Sequence, residues 1–515
     1  YGGISWICLT QDSLHDRILA YFPTPSRSHQ VEIRALTHEL ARRGHEVVVV
    51  TPDPAFPSGK APANITEIDV HDISYKILEE ILVVHNMRNK IDMAYRILSF
   101  LKYFSMIVDT QLEVPEIKAI LEKDRKHFDL LLLESMHRSI LGLSHIFDCP
   151  VIQISFVGIA GFQYGDLGAA SHPILYPTQE RQRLYNLSFL EKGIEYLKQI
   201  AFHLVVKISQ KEDYVVMQNH FGIDVPSVDE LNRRVVMIFV NERRLWASNR
   251  PVPPNIQFIG GINLKPQKNL PEDLKNFLDS SKNGVIYVSF GTKVKTKILP
   301  EDKIVAMINV LSKLPYDILW KWDEDELPAK SNNIKISKWF PQADLLKHPK
   351  VKLFIKQGGL QTTDEAIDAG VPVIGMPIYF GDEWYNVEKY AHFNIGLYLD
   401  IDTLTEEVFE KSIITILSNE SYRNNVMKLR GQMMNQPVSP LELAVWWTEH
   451  VMQHGGEHLQ PPSAFMSNYD YYEVNMIIVF ALILLAVTAI VGLVLRTVVC
   501  CVNKLKLKQF RIYYF

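Results

Sequence analysis

Short apolar runs alternate with longer stretches of helical spacing along most of the chain. In the first half, the apolar runs suited to buried strands are residues 18–22, 47–51, 128–133 and 150–155. Between the first two runs, Ser28 is placed to cap a helix that continues to about Arg43 and ends at Gly44. A strand, a helix and a second strand in this order predict a parallel sheet with a right-handed crossover.

The second half repeats this alternation. Its apolar runs are residues 284–289, 318–320, 351–355 and 371–375. The pattern predicts an α/β fold of two Rossmann-like, doubly wound domains that face a cleft, with ligands at the carboxyl ends of the strands. We expect a first domain at residues 15–249, a stiff proline-rich linker at 250–262 and a second domain at 263–460. A chain of 515 residues is long enough for two such cores.

Residues 187–208 carry apolar side chains at helical spacing, from Leu190 and Ile194 to Leu204. Two interpretations are open. The helix either packs its apolar face on the first domain, which we expect, or lies in a membrane interface.

Residues 476–495 contain no charge and no proline. Twenty helical residues extend about 30 Å, the thickness of a bilayer's hydrocarbon core, so the pattern predicts a transmembrane helix. The tail, residues 496–515, has five basic residues and no acidic one. This asymmetry places the tail in the cytosol and the residues before the helix in a lumen, which we take to be that of the endoplasmic reticulum.

The first residues, 1–14, include an apolar stretch that is typical of the end of a signal peptide. Lumenal residues can be glycosylated, and the chain has acceptor sequons at Asn64, Asn186 and Asn419. The four cysteines do not predict a disulfide framework.

Charge narrows the range of partners. The whole chain carries −4, so without the +5 of the tail the remainder carries −9. A net-acidic body argues against nucleic acid as the main partner, whereas the tail and its helix predict a membrane. A homo-oligomer is left open.

Residues 339–386 have the most informative pattern in the chain. An apolar strand leads into Gly358-Gly359, and a helix is expected from about Gln361 to Ala369. Such a turn directs unpaired backbone N–H groups and the positive end of the helix dipole at one point, which suits a phosphate. Nearby, Thr362 offers a hydroxyl and Trp339 a flat face for a base. The local pattern alone is equally typical of an ordinary strand-turn-helix unit.

The complete set of motifs resembles the UDP-glycosyltransferase family. The motifs are Trp339-Phe-Pro-Gln342, Gln357-Gly-Gly-Leu-Gln361, Asp382-Glu-Trp-Tyr-Asn386, Phe258-Ile-Gly-Gly261, Ser289-Phe-Gly291 and, near the start, Pro23-Thr-Pro-Ser26 with Ser28-His-Gln30. Their form is most similar to the insect, particularly moth, branch. The resemblance implies the GT-B arrangement of two Rossmann-like domains, with the acceptor bound by the first and the UDP-sugar by the second.

His29 is the candidate general base. It lies at the start of the first predicted helix, where the helix dipole disfavours a second positive charge and keeps the ring neutral. Most of the 17 histidines are expected to be surface or structural, and it is the resemblance of residues 24–29 to the family's catalytic segment that singles out His29. The family pairs this histidine with an aspartate after a strand. Glu134 stands at that position here, whereas Asp129 lies at the start of the strand and should be at the other end of the sheet.

The resemblance also implies an inverting, metal-free transfer with no cofactor beyond the UDP-sugar co-substrate. The expected phosphate-binding residues are Ser289, Gln357, Gly359 and Thr362, and Gln361 is a further donor-binding residue. Trp339 would stack on uracil, and Gln342 and Glu365 would contact the nucleoside. Asp382 and Glu383 would contact the sugar hydroxyls.

Two residues depart from the common family pattern. Gln357 replaces a histidine, although an amide can still donate to phosphate, and Glu383 replaces a glutamine. Because a second carboxylate there would repel glucuronate, we expect UDP-glucose as the donor. The acceptor is expected to be a small lipophilic molecule with a hydroxyl, as in detoxification or metabolite conjugation.

Two other functions compete with this interpretation. A nucleotide-dependent oxidoreductase would share the fold class, but Pro23 and Pro25 follow the first strand where a G-x-G-x-x-G turn would be needed. The second alternative is a catalytically impaired relative that only binds small lipophilic molecules. In that case Gln357 and Glu383 would reflect the loss of catalytic function.

Overall fold

The structure is a computed structural model that describes residues 15–84, 93–179, 181–291, 299–329, 331–378 and 381–513. The chain forms two compact units, residues 1–460 and residues 461–515. The predicted signal-peptide remnant, residues 1–14, lies outside the described residues.

The first parallel sheet begins with the strand predicted at the start of the chain. Its described strands are β1 (Arg17–Tyr21), β2 (Glu46–Thr51), β3 (Ile65–Asp69), β4 (Leu130–Glu134), β5 (Val151–Ser155), β6 (Val235–Val240) and β7 (Ile256–Phe258). They lie in the order β3-β2-β1-β4-β5-β6-β7, all parallel. The winding therefore reverses between β1 and β4, and the carboxyl ends of these strands flank the ligand-binding point of such a sheet.

Helices cover both faces of the first sheet. Those described in this half are α1 (Arg27–Arg42), α2 (His71–Val84), α3 (Met93–Leu112), α4 (Pro115–Leu121), α5 (Leu143–Ile146), α6 (Gly161–Asp166), α7 (Phe189–Phe221) and α8 (Val228–Asn232). The predicted cap of α1 was wrong, because the helix begins before Ser28. Ser26 is its N-cap, and the Ser26 side chain makes no capping hydrogen bond to the helix.

The second parallel sheet follows the same plan. Its described strands are β8 (Val285–Ser289), β9 (Asp317–Lys321), β10 (Ile334–Ser337), β11 (Val351–Lys356), β12 (Val373–Gly375) and β13 (Gly396–Tyr398), in the order β10-β9-β8-β11-β12-β13. The reversal lies between β8 and β11. The accompanying helices are α9 (Glu272–Ser280), α10 (Glu301–Leu311), α11 (Gln342–Leu346), α12 (Leu360–Ala369), α13 (Asp382–His392), α14 (Glu406–Leu417), α15 (Ser421–Met434) and α16 (Pro440–His454). Two doubly wound α/β halves, as predicted, are confirmed.

Two observations bear on the predicted domain limits, which otherwise stay a prediction. First, β7 pairs with β6, so residues 256–258 of the predicted linker belong to the first sheet. Second, α16 returns to the first half. Its Ala444 and Val445 are fully buried in the core beside Ile33 and Leu36 of α1, and Arg43 binds Glu442 at 2.6 Å.

The N-terminal part of α7 does not pack as predicted. Its apolar stripe is exposed, with 73% of the surface of Leu190, 67% of Leu197 and 57% of Leu204 open to solvent. The buried residues of α7 lie on another side and later along the helix, beginning at Val206. The expectation that the stripe packs on the first domain was therefore wrong.

The second unit contains α17 (Asn468–Tyr471) and α18 (Val474–Tyr513). Within α18, residues 474–507 are long and apolar enough to cross a membrane, and this range includes the predicted span 476–495. Membrane crossing is thus supported by length and composition.

Candidate active site

A buried carboxylate marks the carboxyl end of β4. Glu134 is the last residue of β4 and is fully buried. It accepts hydrogen bonds from Thr24, at 3.1 Å from the backbone N–H and 2.6 Å from the hydroxyl. Thr24 lies in the segment that follows β1, so the loop after one strand is fixed to the end of its neighbour. This arrangement holds the start of α1 next to Glu134.

His29 lies in the first turn of α1 and reaches the same carboxylate. Its Nδ1 is 3.3 Å from Oε1 of Glu134. The ring packs on Phe156, with the ring centroids 4.6 Å apart, and 14% of the side chain is exposed. When the Nδ1–H donates to Glu134, Nε2 is the basic nitrogen of the neutral ring. Residues 105 positions apart thus form the predicted histidine–carboxylate pair.

The sequence did not predict two further members of this cluster. His137 is fully buried, and its Nε2 lies 2.8 Å from the Thr24 hydroxyl and 3.7 Å from Oε2 of Glu134. Burial would raise the pKa of Glu134, but His137, His29 and Thr24 outweigh it, so the pKa of Glu134 is lowered from its usual value. Glu134 therefore stays ionised at neutral pH. The position of Thr24 in the motif 23–26 was the available signal for its role.

The glycine turn predicted for phosphate is present at the carboxyl end of β11. Gly358 has φ of +112°, and a Cβ at this position would lie 2.8 Å from Val387 and 2.9 Å from the Glu383 carbonyl. Only glycine fits there. Gly359 is the N-cap of α12 and provides no capping side chain, and Gly370 ends the helix in the left-handed conformation as predicted.

The side chain of Gln357, just after β11, lies next to Gly291, which follows β8. Its amide nitrogen lies 2.8 Å from where a Cβ of Gly291 would be, so the glycine leaves room for the amide. Its Oε1 is buried without a hydrogen-bond partner in the described part of the chain. Ser289 ends β8 and is buried beside them, with its hydroxyl 3.4 Å from the Gly291 N–H. A buried amide oxygen without a partner marks Gln357 as a polar group that a ligand donor can satisfy.

The residues predicted for the nucleoside are joined to each other. Gln342 donates to Glu365 at 2.6 Å and accepts from the Tyr287 hydroxyl at 3.1 Å. Burial raises the pKa of Glu365 to about 7, although the bond from Gln342 opposes it. Trp339 has 62% of its surface exposed, as a stacking platform requires. Tyr287, which orients Gln342, was not predicted.

The predicted sugar contacts are held close to the turn. Asp382 accepts from the Leu360 N–H at 2.9 Å and from Asn386 at 2.9 Å, so it occupies one of the first amides of α12. Glu383 is 5% exposed and accepts from the Ile378 N–H at 2.7 Å. Both carboxylates therefore have protein partners, and their contact with a sugar stays a prediction. Gln361 and Thr362 lie half-buried in the first turn of α12.

The two halves meet behind the histidine. Burial raises the pKa of Glu32, one turn after His29, and the charges of Asp364, Asp382 and Glu365 on α12 and α13 raise it further. A direct ion pair also joins the halves, from Arg243 after β6 to Asp364 at 3.4 Å. The second turn of α1 is therefore within electrostatic range of the carboxylates on α12 and α13.

Residues 18–511 match the family described as UDP-glucoronosyl and UDP-glucosyl transferase. The chain belongs to this family. It is a UDP-glycosyltransferase, and the resemblance in its motifs is confirmed.

Relatives agree with this assignment over nearly the whole length. The UDP-glycosyltransferase is 34% identical over 484 residues to the ecdysteroid UDP-glucosyltransferase of Spodoptera littoralis nuclear polyhedrosis virus, covering 90% of this chain and 93% of the relative. It is 30% identical over 495 residues to UDP-glycosyltransferase UGT5 of Dactylopius coccus, covering 92% and 90%.

Solved structures support the fold. The glycotransferase of kitacinnamycin is similar with a TM-score of 0.59 at 17% identity, over 84% of this chain and 98% of that protein. The spinosyn forosaminyltransferase SpnP gives a TM-score of 0.56 at 17% identity, over 85% and 100%. The UDP-glycosyltransferase therefore has the GT-B arrangement predicted from its motifs.

Proposed function

We propose that this UDP-glycosyltransferase transfers glucose from UDP-glucose to a hydroxyl of a small lipophilic acceptor, with His29 as the general base and inversion at the anomeric carbon. The observation that carries the proposal is the pairing of His29 with the buried, ionised Glu134 at 3.3 Å. A buried carboxylate fixes the tautomer and the orientation of the ring and stabilises the imidazolium that forms.

The proposed reaction moves one proton and one glycosyl group. Nε2 of His29 takes the proton of the acceptor hydroxyl while that oxygen attacks the anomeric carbon. The bond from this carbon to the diphosphate oxygen breaks on the opposite face, and UDP leaves with the electron pair. The ring then carries a positive charge next to Glu134, which stabilises the charge by Coulomb attraction.

The α12 turn is the proposed diphosphate site. Its helix N-terminus, the amide nitrogen of Gln357 and the Ser289 hydroxyl supply donors toward the charge that develops on UDP. The Thr362 hydroxyl joins them by rotating away from the Gly359 carbonyl, to which it donates in the structure. Gly359 permits close approach of the backbone, and Gln361 lies in the same turn. In this proposal the exposed face of Trp339 stacks on uracil, and the Gln342–Glu365 pair contacts the nucleoside. The reaction needs no metal or further cofactor.

Donor choice is the first prediction. If Asp382 and Glu383 adjoin the sugar, a glucuronate brings a third negative charge into a half-buried site. Two unit charges 4 Å apart at an effective dielectric constant of about 20 interact with roughly 4 kcal/mol. UDP-glucose should therefore exceed UDP-glucuronate in kcat/KM by about two orders of magnitude or more, and Glu383→Gln should narrow the gap.

A matched control for this prediction is Glu410→Gln, which removes an exposed carboxylate from α14 in the same half. It should leave the donor ratio unchanged. Equal use of both donors by the unchanged enzyme would mean that Glu383 does not face the sugar and serves contacts within the protein, such as its bond to the Ile378 N–H.

The acceptor is proposed as a class. Five of the viral relatives are named ecdysteroid UDP-glucosyltransferases, and a steroid fits the proposed class of small lipophilic acceptors. In this chain the acceptor would lie beside Phe156, whose ring packs on His29. A role in conjugating hormones or foreign compounds follows from this chemistry.

The proposed function is tested by UDP release from UDP-glucose with a panel of phenols, flavonoids, steroids and ecdysteroids. We expect acceptor-dependent release with at least one member of the panel. Binding of UDP without turnover of any of them would instead favour the impaired binder of small lipophilic molecules.

We propose further that the enzyme is held in the membrane of the endoplasmic reticulum with its catalytic body in the lumen. The apolar helix α18 and the basic residues after 495 support this topology. The exposed stripe of α7 favours the interfacial interpretation of that helix over a packed one.

Topology is the second prediction. Protease added to sealed microsomes should remove only about the last twenty residues, because the body is behind the bilayer. Microsomes opened with detergent provide the control, in which the body should become accessible. Digestion of the body in sealed vesicles would reverse the proposed orientation.

A further inference from the structure

We propose that Lys356 is a positioning residue of the donor site, whose ammonium holds the glycine turn from behind and takes up a proton when the diphosphate of a UDP-sugar binds. The proposal rests on the donor site proposed above. Lys356 is the last residue of β11, and its entire side chain is buried.

The first support is geometric. The Lys356 ammonium donates to the Gly359 carbonyl at 3.0 Å, to the Thr363 hydroxyl at 2.6 Å and to the Tyr390 hydroxyl at 2.8 Å. Three donors thus reach three acceptors, one in the turn, one on α12 and one on α13. A single side chain fixes the glycine turn to both helices around it.

Side chains from elsewhere in the chain hold the turn, and one of them is Asn386, which donates to the Gly358 carbonyl at 2.8 Å. Gly358 and Gly359 have no side chains, and the N-cap of α12 makes no side-chain bond. The Gly359 carbonyl accepts from Lys356 and also from the hydroxyls of Thr362 and Thr363, at 3.0 and 2.9 Å. Losing the ammonium would leave the position of the turn less defined, since glycine has the greatest backbone freedom.

The second support is electrostatic. Burial lowers the pKa of Lys356 to about 7, whereas the carboxylates of Asp382, Glu365, Glu383 and Asp364 act to raise it. Each of these carboxylates already has a partner: Asp382 has the Leu360 N–H, Glu365 has Gln342, Glu383 has the Ile378 N–H, and Asp364 has Arg243. Among the residues that the structure describes, the Tyr390 phenol also touches the ammonium, and burial raises its pKa, so it stays neutral.

As a consequence, protonation of Lys356 is coupled to donor binding. Near neutral pH the free site is a mixture of ammonium and amine forms at Lys356. A diphosphate on the other side of the Gly359 peptide favours the ammonium form, so its pKa rises on binding. Above about pH 7 the enzyme must therefore take up a proton to bind the donor, and affinity should fall by up to about tenfold per pH unit until the pKa of the bound state is reached.

On donor binding Glu365 would release a proton, whereas Lys356 takes one up. The two contributions can therefore be separated experimentally. The pKa of Glu365 is also about 7 in the free site. If its carboxylate accepts from ribose hydroxyls, binding favours the ionised form and releases a proton. UDP-glucose is the suitable probe, because each phosphorus of its disubstituted diphosphate keeps one strongly acidic oxygen, which does not titrate near neutral pH.

The experiment is calorimetric titration of the full-length enzyme in detergent with UDP-glucose from pH 6 to 9, in buffers of different ionisation enthalpy. In a Glu365→Gln background we expect uptake approaching one proton around pH 8. Adding Lys356→Met should abolish the uptake and flatten the pH dependence of affinity. Lys356→Arg, which keeps a permanent charge, should also remove the uptake while binding more tightly at pH 9 than the methionine variant.

Tyr390→Phe is the matched structural control, since it removes one acceptor of the lysine without changing the charge. It should weaken binding modestly and keep the proton uptake. Binding by the Glu365→Gln enzyme with no proton uptake would overturn the role of Lys356 while leaving the donor site intact. Failure of the unchanged enzyme to bind UDP-glucose at any pH would instead overturn the proposed function. Loss of uptake in Tyr390→Phe as well would reduce Lys356 to a packing role.

Discussion

Replacing His29 by alanine is expected to lower the rate of glycosyl transfer by about 10³-fold or more, to the background of the assay. General base catalysis contributes about 10²–10⁴-fold, and in this site the ring is the group that Glu134 orients. UDP affinity should change little, because the proposed donor residues lie in the second half of the chain, on and around the second sheet. The measurement is kcat with the best acceptor of the panel, together with calorimetric binding of UDP.

His38→Ala is the control for this variant. His38 lies on the same helix and packs on Phe56, away from Glu134, so its loss should leave kcat within a few-fold. If His29→Ala retained most of its activity while UDP binding was unchanged, the base would be another group.

Replacing Glu134 by glutamine is expected to lower kcat by up to about 10⁴-fold, the loss seen when the orienting carboxylate of a catalytic triad becomes an amide. Glutamine keeps the size of the side chain but removes the charge that stabilises the imidazolium. Because the pKa of Glu134 is lowered, the carboxylate is ionised throughout the neutral range, and the variant should lose activity at every pH there. A kcat profile from pH 6 to 9 is the measurement.

Asp129→Asn is the matched control. Asp129 precedes β4 and accepts from the backbone N–H of Arg17 at 2.8 Å, at the end of the sheet away from Glu134. Near-complete activity is expected in this variant. Full activity of Glu134→Gln would contradict the assigned role, and equal losses in both variants would indicate a general effect on folding. Thermal unfolding of both proteins separates these cases, since Glu134 also anchors Thr24.

The alternation of apolar runs predicted the architecture because the central strands are buried on both faces. β4 and β5 are buried at every position, and such strands appear in sequence as continuous apolar runs. Burial on both faces was not sufficient for prediction, because β6 was missed although its six apolar residues are all buried. Other strands that escaped prediction are short or partly exposed. β10 is half-buried throughout, and β13 has three residues, of which one is exposed.

The site was predicted where a local motif determines the geometry. Gly358 and Gly359 specify the turn before α12, and residues 24–29 specify the loop and first helical turn that position His29. The position of His137 could not be predicted in this way. It lies in the cluster because the chain after β4 folds back over α3, where the Phe104 carbonyl lies 3.3 Å from its Nδ1. Contacts of this kind depend on the tertiary fold.

Lys356 and α7 show two further limits of sequence patterns. A lysine at the end of an apolar strand is usually at the surface, and only the fold places its ammonium under the Gly359 carbonyl. Helical spacing in α7 correctly predicted an apolar face. Spacing does not specify what covers such a face, and here the face is exposed.

The most direct test of the central claim is the anomeric configuration of the product. The enzyme is incubated with UDP-glucose, an α-linked donor, and its best acceptor in the presence of EDTA, and the anomeric proton of the product is observed by NMR. Direct attack by an acceptor that His29 deprotonates predicts a β-glucoside, formed in equal amount with UDP and at the same rate with and without EDTA. An α-glucoside, or a reaction that stops in EDTA and resumes when a divalent cation is added, would contradict the account.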